Sequence, residues 1–448
     1  MNGEHDGGWA RLRERLGWVR GFRRRLAEAE PEITALMGEE IGKPRFEGLT
    51  ADVMPVLAAA RFTERHASKI LRTAKRGGSP LLGMGQTHRV HRLPLGRVAI
   101  IATWNYPVGL LGVQLVQALA AGNSVVVKPS EVSPRTQSAL LDLAEQGLPL
   151  GVLTRTEATR EAGEALLREH RFDHVVFTGS TSVGRAIAEA LAPTLTPSTL
   201  ELSGRDTALV LEDAPIPLAA RSVWMAATAN GGQTCMAPKR VLVRREVYAD
   251  FLRALGSVGA GARPRRLASE AAAAAAWRQV RAALEDGART LSAVPEPPEG
   301  AWIRPEAVVD CPESACLVEG RNFAPVFAVL PVDDLGHALR IHAGCDQHLA
   351  TSVYTRRVRW AESELAPRLQ AGTVTVNDAV IPTAHPGVPL AGLGESGWGV
   401  SRGVEGLLAM TRPLHTAATS RIVRPPLDEP SPQRLGQLAG FVRRLYRR

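Results

Sequence analysis

A cysteine in a glycine-flanked turn, Asn230-Gly-Gly-Gln-Thr-Cys235, follows a lone acid upstream, Glu201, in Leu200-Glu-Leu-Ser-Gly204. A thiol and a carboxyl are the minimum set for covalent acyl chemistry. The thiolate attacks a carbonyl, and the carboxylate later activates the water that clears the thioester. Taken singly, the two read more simply as a buried structural cysteine and a capping glutamate, so the chemistry rests on what accompanies them. Asn105, in Thr103-Trp-Asn-Tyr-Pro107, offers a neutral amide donor just past an expected strand end. Carboxyl ends of parallel strands form ligand crevices. Such a donor can stabilise the oxyanion formed when a thiolate adds to a carbonyl, an effect of roughly 3 kcal/mol in other enzymes. The simpler reading is a turn asparagine before Tyr106-Pro107.

A second group of residues suits a dinucleotide. Lys128 ends the apolar run Ser124-Val-Val-Val-Lys128, and Glu131 follows three residues on. A strand-terminal cation and a nearby carboxylate suit the hydroxyls of an adenosine ribose, the glutamate favouring free 2′- and 3′-hydroxyls over a 2′-phosphate. Phe177-Thr-Gly-Ser-Thr-Ser-Val-Gly184 sets glycines and hydroxyls between a strand and a helix start, where backbone N–H groups can meet a phosphate. It is not the G-x-G-x-x-G fingerprint, and strand-to-helix turns often carry Gly and Ser for geometry alone.

These residues need elements to hold them. From Gly96 the pattern alternates short apolar strands with helices: strand Arg97 to Thr103, helix Val108 to Ala121, strand Ser124 to Lys128, helix Ser133 to Glu145. The theme repeats in strand His174 to Thr178 and the helix after Ser182, which implies a mostly parallel sheet with helices on its faces. A second α/β region follows Ser203, with an alanine-rich helix near Ser269 to Asp286 and strands at Val326 to Pro331 and Thr373 to Val376. Before the alternation, residues 8 to 75 carry long helical patterns interrupted by Pro31 and Pro44, read as an N-terminal helical pair. At the other end, Pro425 to Pro432 reads as a proline-rich linker. Beyond it, Leu435, Leu438, Phe441, Val442 and Leu445 fall on one face of a helix whose other face is arginine. Docking on its own oligomer is the favoured reading, with a membrane surface as the alternative.

Composition bounds the rest. The 448 residues, 45% hydrophobic and 22% charged, are those of a soluble globular chain of about three domains. No run reaches the ~18 apolar residues of a membrane span. The charged first thirty residues lack a secretory h-region, so a cytoplasmic location is expected. Cys235, Cys311, Cys316 and Cys345 show neither C-x-x-C pairing nor histidine spacing, which disfavours zinc and a disulfide framework. The net charge of +9 comes from arginine, since lysine occurs only at positions 43, 69, 75, 128 and 239. That uniform bias points away from a nucleic-acid patch. It also makes Lys128, a lysine kept inside an apolar strand, stand out.

The ordered motifs Trp104-Asn-Tyr-Pro107, Lys128-Pro-Ser-Glu131, Phe177-Thr-Gly-Ser180, Leu200-Glu-Leu202, Asn230-x-Gly-Gln-x-Cys235, Phe323-Ala-Pro-Val326 and Val376-Asn377 resemble the aldehyde dehydrogenase superfamily from about Glu30 to about Thr416. Gly-Gln-Thr-Cys-Met-Ala-Pro and Gly394-Glu-Ser-Gly-Trp-Gly399 look most like its shorter-chain branch, the class three and fatty aldehyde enzymes. The resemblance implies an α/β fold with a Rossmann-like cofactor domain (residues 1–79 and 98–203, including the N-terminal helices), a catalytic domain (204–393) and a small oligomerisation element (80–97 and 394–420), with 421–448 as linker and basic amphipathic helix. It implies Cys235 as nucleophile, Glu201 as the base for the deacylating water, and Asn105 with the Cys235 N–H as oxyanion hole. It further implies a nicotinamide cofactor, NAD with NADP possible, held by Thr103, Trp104, Lys128, Ser130, Glu131, Gly179, Ser180, Gly184, Leu202 and Phe323. The implied product is a carboxylate made from a small-molecule aldehyde by a homodimer or homotetramer, without metal or nucleic acid.

Several residues depart from the family pattern. Arg321 stands where the family usually has the glutamate that binds the nicotinamide ribose, which swaps an acceptor for a cation, with Glu319 nearby. Ser203 and Arg205 stand at the first and last positions of the family's Gly-Gly-Lys, Ala324 replaces a glycine, and Leu390-Ala391 occupies the late Pro-Phe-Gly-Gly segment. Arg321 motivates one alternative, a cofactor-binding or scaffold homologue with little turnover. An acylating, coenzyme A-dependent enzyme is a second, which Glu201 disfavours.

Overall fold

The computed structural model describes residues 8–77, 86–292, 294–319, 322–419, 428 and 430–447. The chain divides into two compact units, Met1–Leu71 with Leu93–Arg412, and Arg72–Arg92 with Pro413–Arg448.

In the first unit, β-branched runs such as Ser124–Lys128 and Arg97–Ile101 are buried on both faces, as strands of a covered parallel sheet must be. They belong to a six-stranded sheet ordered Gly397–Trp398, Ser198–Glu201, His174–Thr178, Arg97–Ile101, Ser124–Lys128, Leu153–Arg155. All its pairs are parallel except that of the Gly397–Trp398 edge. Strand order reverses between His174–Thr178 and Arg97–Ile101, the kind of switch point where ligands bind. The register pairs Ile101 with both Lys128 and Phe177, and Thr178 with Glu201. The chain segments leaving these four strands therefore start from one rim. The Gly109–Ala121 helix is buried along its whole length, and Leu115 and Leu119 within it each contribute roughly 2 kcal/mol of apolar burial.

A seven-stranded sheet follows, ordered Arg289–Thr290, Glu306–Val309, Val326–Val332, Pro238–Arg244, Asp206–Val210, Ala350–Tyr354, Thr373–Val376. It too is parallel apart from its Arg289–Thr290 edge. Cys235 lies in the turn that enters Pro238–Arg244, where Ala237 N donates to Thr234 O at 3.1 Å.

The expected alternation of strands and helices holds within a few residues at each end. The N-terminal helical pair is corrected to three long helices, Leu12–Glu28, Glu30–Ile41 and Met54–Ile70. Pro31 sits in the first turn of the second, where the missing N–H has no intrahelical partner to lose. It begins that helix instead of interrupting it, whereas Pro55 follows without a break on the π-helical stretch Gly48–Val53 that runs into the third. In the second unit, Ala74–Arg76, Gln86–Pro94 and Thr411–Thr419 form a three-stranded sheet, and Pro432–Tyr446 is the C-terminal helix. Half of the proline-rich 425–432 stretch, residues 425–427 and 429, lies outside the described residues. Among the described residues no helix is long and apolar enough to cross a membrane.

Candidate active site

The turn before Cys235 is built from three successive left-handed residues, Asn230, Gly231 and Gly232, at φ +54°, +63° and +68°. Asparagine and glycine are the residues that reach this region at low cost, which accounts for Asn-Gly-Gly. A Cβ on Gly232 would lie 2.2 Å from the Ala324 carbonyl oxygen, so no side chain fits there. The buried Lys239 ammonium fastens the approach by donating to Gly232 O at 2.8 Å and Ala324 O at 2.7 Å. Asn230 N donates to Glu47 Oε2 at 2.8 Å, and Asn230 Nδ2 to Asn105 O at 2.8 Å.

Asn105 thus meets the cysteine turn twice. Its own Nδ2 donates to Gln233 O at 3.0 Å, while its Oδ1 accepts from Thr103 Oγ1 at 3.1 Å. The second amide hydrogen has no protein acceptor among these bonds and can meet a substrate oxygen. Tyr106 extends the same seam, its hydroxyl 2.6 Å from Thr234 Oγ1.

Beneath this seam is a group that sequence reasoning missed. Lys43 Nζ lies 2.5 Å from Asp52 Oδ2, donates to Asn105 O at 2.7 Å and sits 4.0 Å from the centre of the Tyr106 ring. Asp52 Oδ1 accepts from Val108 N and Gly109 N at the start of the following helix. The pair is fully buried, and burial lowers the Lys43 pKa, with Asp52 acting against that shift. A signal was available, since three of the five lysines, Lys43, Lys128 and Lys239, are buried in a chain that otherwise uses arginine.

Glu201 closes its strand with its carboxyl buried. Oε2 accepts from Ser401 Oγ at 3.3 Å, and Oε1 has no hydrogen-bond partner. Burial raises the Glu201 pKa, while Arg402 and Ser401 pull it down. The half-buried Cys235 thiol is pushed up by desolvation first, then by Glu201 and Asp206, with Arg402 opposing. The thiol is therefore the resting form at neutral pH, and attack needs a proton acceptor. Gly204 underlies this region, since a Cβ there would sit 2.5 Å from Cys235 O. Asp206 accepts from Leu349 N and Ala350 N through Oδ1, leaves Oδ2 unpartnered, and is raised by burial to about 8.

Cys311 and Cys345 are buried free thiols, and burial pushes Cys311 up to about 12. Arg205 donates to Cys345 Sγ at 2.9 Å. The Cys316 and Glu319 side chains and all of Arg321 lie outside the described residues. Val380, unnoticed in sequence as a strained residue, packs with Met236, Leu390 and Cys235 at φ +61°, a costly conformation for a β-branched side chain.

The residues expected to hold a nucleotide lie along the rim of the first sheet. Lys128 Nζ, itself buried, lies 2.6 Å from Glu131 Oε2, whose carboxyl is more than half exposed. Burial works to raise the Glu131 pKa, but the Lys128 bond and other donors outweigh it and the net shift is downward. The carboxylate stays ionised and can still accept hydroxyls. Gly163 lies 3.6 Å or more from the Lys128 stem through the position its Cβ would take, a contact the sequence did not reveal. Ser130 is buried, with its hydroxyl accepting from Val132 N, which makes it a turn residue. Gly179 N donates to Glu201 O at 3.0 Å, and Ser180 caps the Thr181–Leu191 helix. Gly184 lets that helix close on Leu202, since a Cβ at 184 would meet the Leu202 side chain at 2.5 Å. Trp104 and Phe323 meet edge to face, ring centres 5.8 Å apart. The structure thus brings Asn105, Cys235 and Glu201 into one centre, and sets Lys128 and Glu131 farther along the same rim.

The aldehyde dehydrogenase family pattern matches residues 5–415. The chain is 31% identical over 408 residues to the 4,4'-diapolycopene aldehyde oxidase of Methylomonas sp, covering 90% of this chain and 77% of that one. It is 28% identical over 397 residues to aldehyde dehydrogenase family 3 member A2 of Rattus norvegicus, covering 88% and 81%. Among solved structures, the Mycobacterium tuberculosis aldehyde dehydrogenase complexed with NAD+ is similar at TM-score 0.85 and 29% identity, over 94% of this chain and 89% of that one.

Proposed function

This chain belongs to the aldehyde dehydrogenase family and is an enzyme that oxidises aldehydes to carboxylates, and we propose that it does so through a covalent intermediate on Cys235 with NAD as the electron acceptor. The observation that carries the reading is the seam in which Asn105 and Asn230 both donate to the Gln233 carbonyl, two residues before the thiol, beside a buried Glu201 oxygen with no partner.

The residues fit a dinucleotide. An ionised, half-exposed Glu131 backed by a buried cation can accept ribose hydroxyls, and the capped start of Thr181–Leu191 offers N–H groups to a pyrophosphate. Lys128, Glu131, Gly179, Ser180 and Gly184 would hold its adenosine and phosphate parts, and Thr103, Trp104, Leu202 and Phe323 its nicotinamide end. When bound, NAD supplies the two-electron sink that takes up the aldehyde hydrogen as hydride. The chain's own residues do the rest. Cys235 Sγ adds to the carbonyl carbon as its proton passes to a base. Asn105 Nδ2 and the Cys235 N–H share the negative charge on oxygen. Once the thioester is formed, Glu201 takes a proton from water, which attacks and releases the carboxylate. The raised Glu201 pKa keeps this base protonated to higher pH than an ordinary carboxyl, so turnover falls early on acidification.

The three-part division, with 80–97 and 394–420 as a subunit-pairing element in a homodimer or homotetramer, belongs to the same proposal. The small compact unit, Arg72–Arg92 with Pro413–Arg448, overlaps that element at 80–92 and 413–420. The three described cysteines are free thiols, in keeping with a reducing, cytoplasmic compartment.

The decisive experiment is Glu201→Gln in single-turnover mode. A burst of NADH followed by slow steady turnover is expected, because the nucleophile remains while the water base is lost. Loss of the burst along with turnover would place the carboxylate earlier in the sequence.

A further inference from the structure

The helix Pro432–Tyr446 sorts its residues by bulk and charge. Leu435, Leu438, Val442 and Leu445 recur at spacings of three and four, flanked by Phe441 and Tyr446, so they share one face. The opposite face carries Gln433, Gly436, Gln437, Gly440, Arg443, Arg444 and Arg447, which are polar, small or cationic. From Pro432 to Arg448 there are five arginines and no acidic residue. Among the described residues the bulky face stays open to solvent: Leu435 is 44% exposed, Leu438 48% and Phe441 53%, and the helix has no buried residue. Among the described residues, none of Arg434, Arg443, Arg444 and Arg447 is in an ion pair. Arg443 donates only to its own helix, at Ala439 O.

We propose that this helix lies in the plane of an anionic lipid bilayer, with Leu435, Leu438, Phe441, Val442 and Leu445 among the acyl chains and the arginines at the headgroup phosphates. Charge complementarity selects this occupant. A protein groove would cover the leucines but leave a face of unpaired cations in water, and a second copy of this chain brings a further net charge of +9. An anionic surface engages both faces at once. At 15 residues the helix rises about 22 Å, too short to span but suited to lie flat.

The experiment is co-sedimentation of the full chain with phosphatidylcholine vesicles with and without phosphatidylglycerol, at low and high salt. Binding on the order of tenfold stronger to the anionic vesicles, fading as salt rises, is expected. Arg443→Gln with Arg444→Gln and Arg447→Gln should remove the dependence on anionic lipid, and Leu438→Glu with Phe441→Glu should abolish binding. Aldehyde oxidation in solution should be unchanged in both variants. Full chain left in the supernatant, or bound equally to both vesicles, overturns the proposal. So does a change of oligomeric state in the Leu438→Glu, Phe441→Glu variant by light scattering, because the apolar face would then be covering a second copy.

Discussion

The two ends of the candidate site use buried lysine in opposite ways. At the acyl centre, Lys43 and Lys239 direct their donors to backbone carbonyls, those of Asn105, Gly232 and Ala324, and so fix loops against one another. At the nucleotide end, Lys128 pairs with Glu131, whose carboxyl stays more than half exposed. The first arrangement is closed by protein, and the second is open on one side to a ligand. Bond making at the carbonyl needs groups already in position, whereas a cofactor that enters and leaves each turnover needs acceptors it can reach.

That contrast breaks most completely at the thiol. Cys235→Ala should lower aldehyde oxidation by about four orders of magnitude, while NAD affinity, measured by fluorescence titration, stays near that of the unaltered chain. Loss of NAD binding in this variant would mean the two ends are not separable. Next comes Lys43→Met. Breaking a fully buried pair by removing one partner costs about 3–5 kcal/mol, and a loosened Asn105 should lower kcat by about a hundredfold. Urea unfolding and steady-state rates measure the two effects. Adding Asp52→Asn, which removes the stranded charge but keeps an acceptor for Val108 N and Gly109 N, should restore much of the stability and little of the rate.

Legibility in the sequence followed the same division. Local geometry was readable: the Lys128–Glu131 pair, the Ser180 turn, the Cys235 turn and most of the strands that present them. Long-range partners were not. Lys43 meets Asn105, and Asp52 meets Val108 and Gly109, across more than fifty residues of chain, and nothing in their neighbours' periodicity forecasts the contacts. Lys239 was equally silent, because its two carbonyl partners belong to loops brought together only by the second sheet. The strand Ser198–Glu201 escaped notice because Ser-Thr-Leu-Glu is short and mixed in polarity, yet it carries Glu201, the proposed base. Pro31 misled the N-terminal reading because proline inside a helix and proline at its first turn look alike in a sequence.

The closed end should also be visible in pH dependence. Burial carries Asp206 from its ordinary 3.8 to about 8 and Lys239 from 10.5 down to about 7, with each group's charge opposing the shift of the other. Between about pH 4 and 8 the native state holds a proton on Asp206 that the unfolded chain has released, so stability falls as pH rises. From about pH 7 to 10.5 the unfolded chain binds a proton on Lys239 that the native state lacks, so stability rises again. The pair therefore contributes a stability minimum near neutral pH, read as the difference in urea midpoint between the unaltered chain and its Asp206 variant across the pH range. Asp206→Asn keeps the acceptor for Leu349 N and Ala350 N and should remove the falling limb alone.

The smallest effect belongs to the open end. Glu131→Gln keeps the shape and an acceptor oxygen but removes the charge that Lys128 supports, so the ribose hydroxyls lose a charged acceptor while the fold loses only a half-exposed pair. NAD affinity should fall about tenfold, equivalent to ~1.4 kcal/mol, with kcat at saturating cofactor nearly unchanged. Affinity for NADP should fall less or rise, because the neutral amide no longer repels a 2′-phosphate and Lys128 is freed to meet it. The ratio of kcat/KM for the two cofactors, variant against unaltered chain, reads this directly. A drop in kcat as large as that of Lys43→Met, with the cofactor ratio unmoved, would show that Glu131 holds the acyl centre together instead of recognising the ribose, and the division between a closed and an open end would fail.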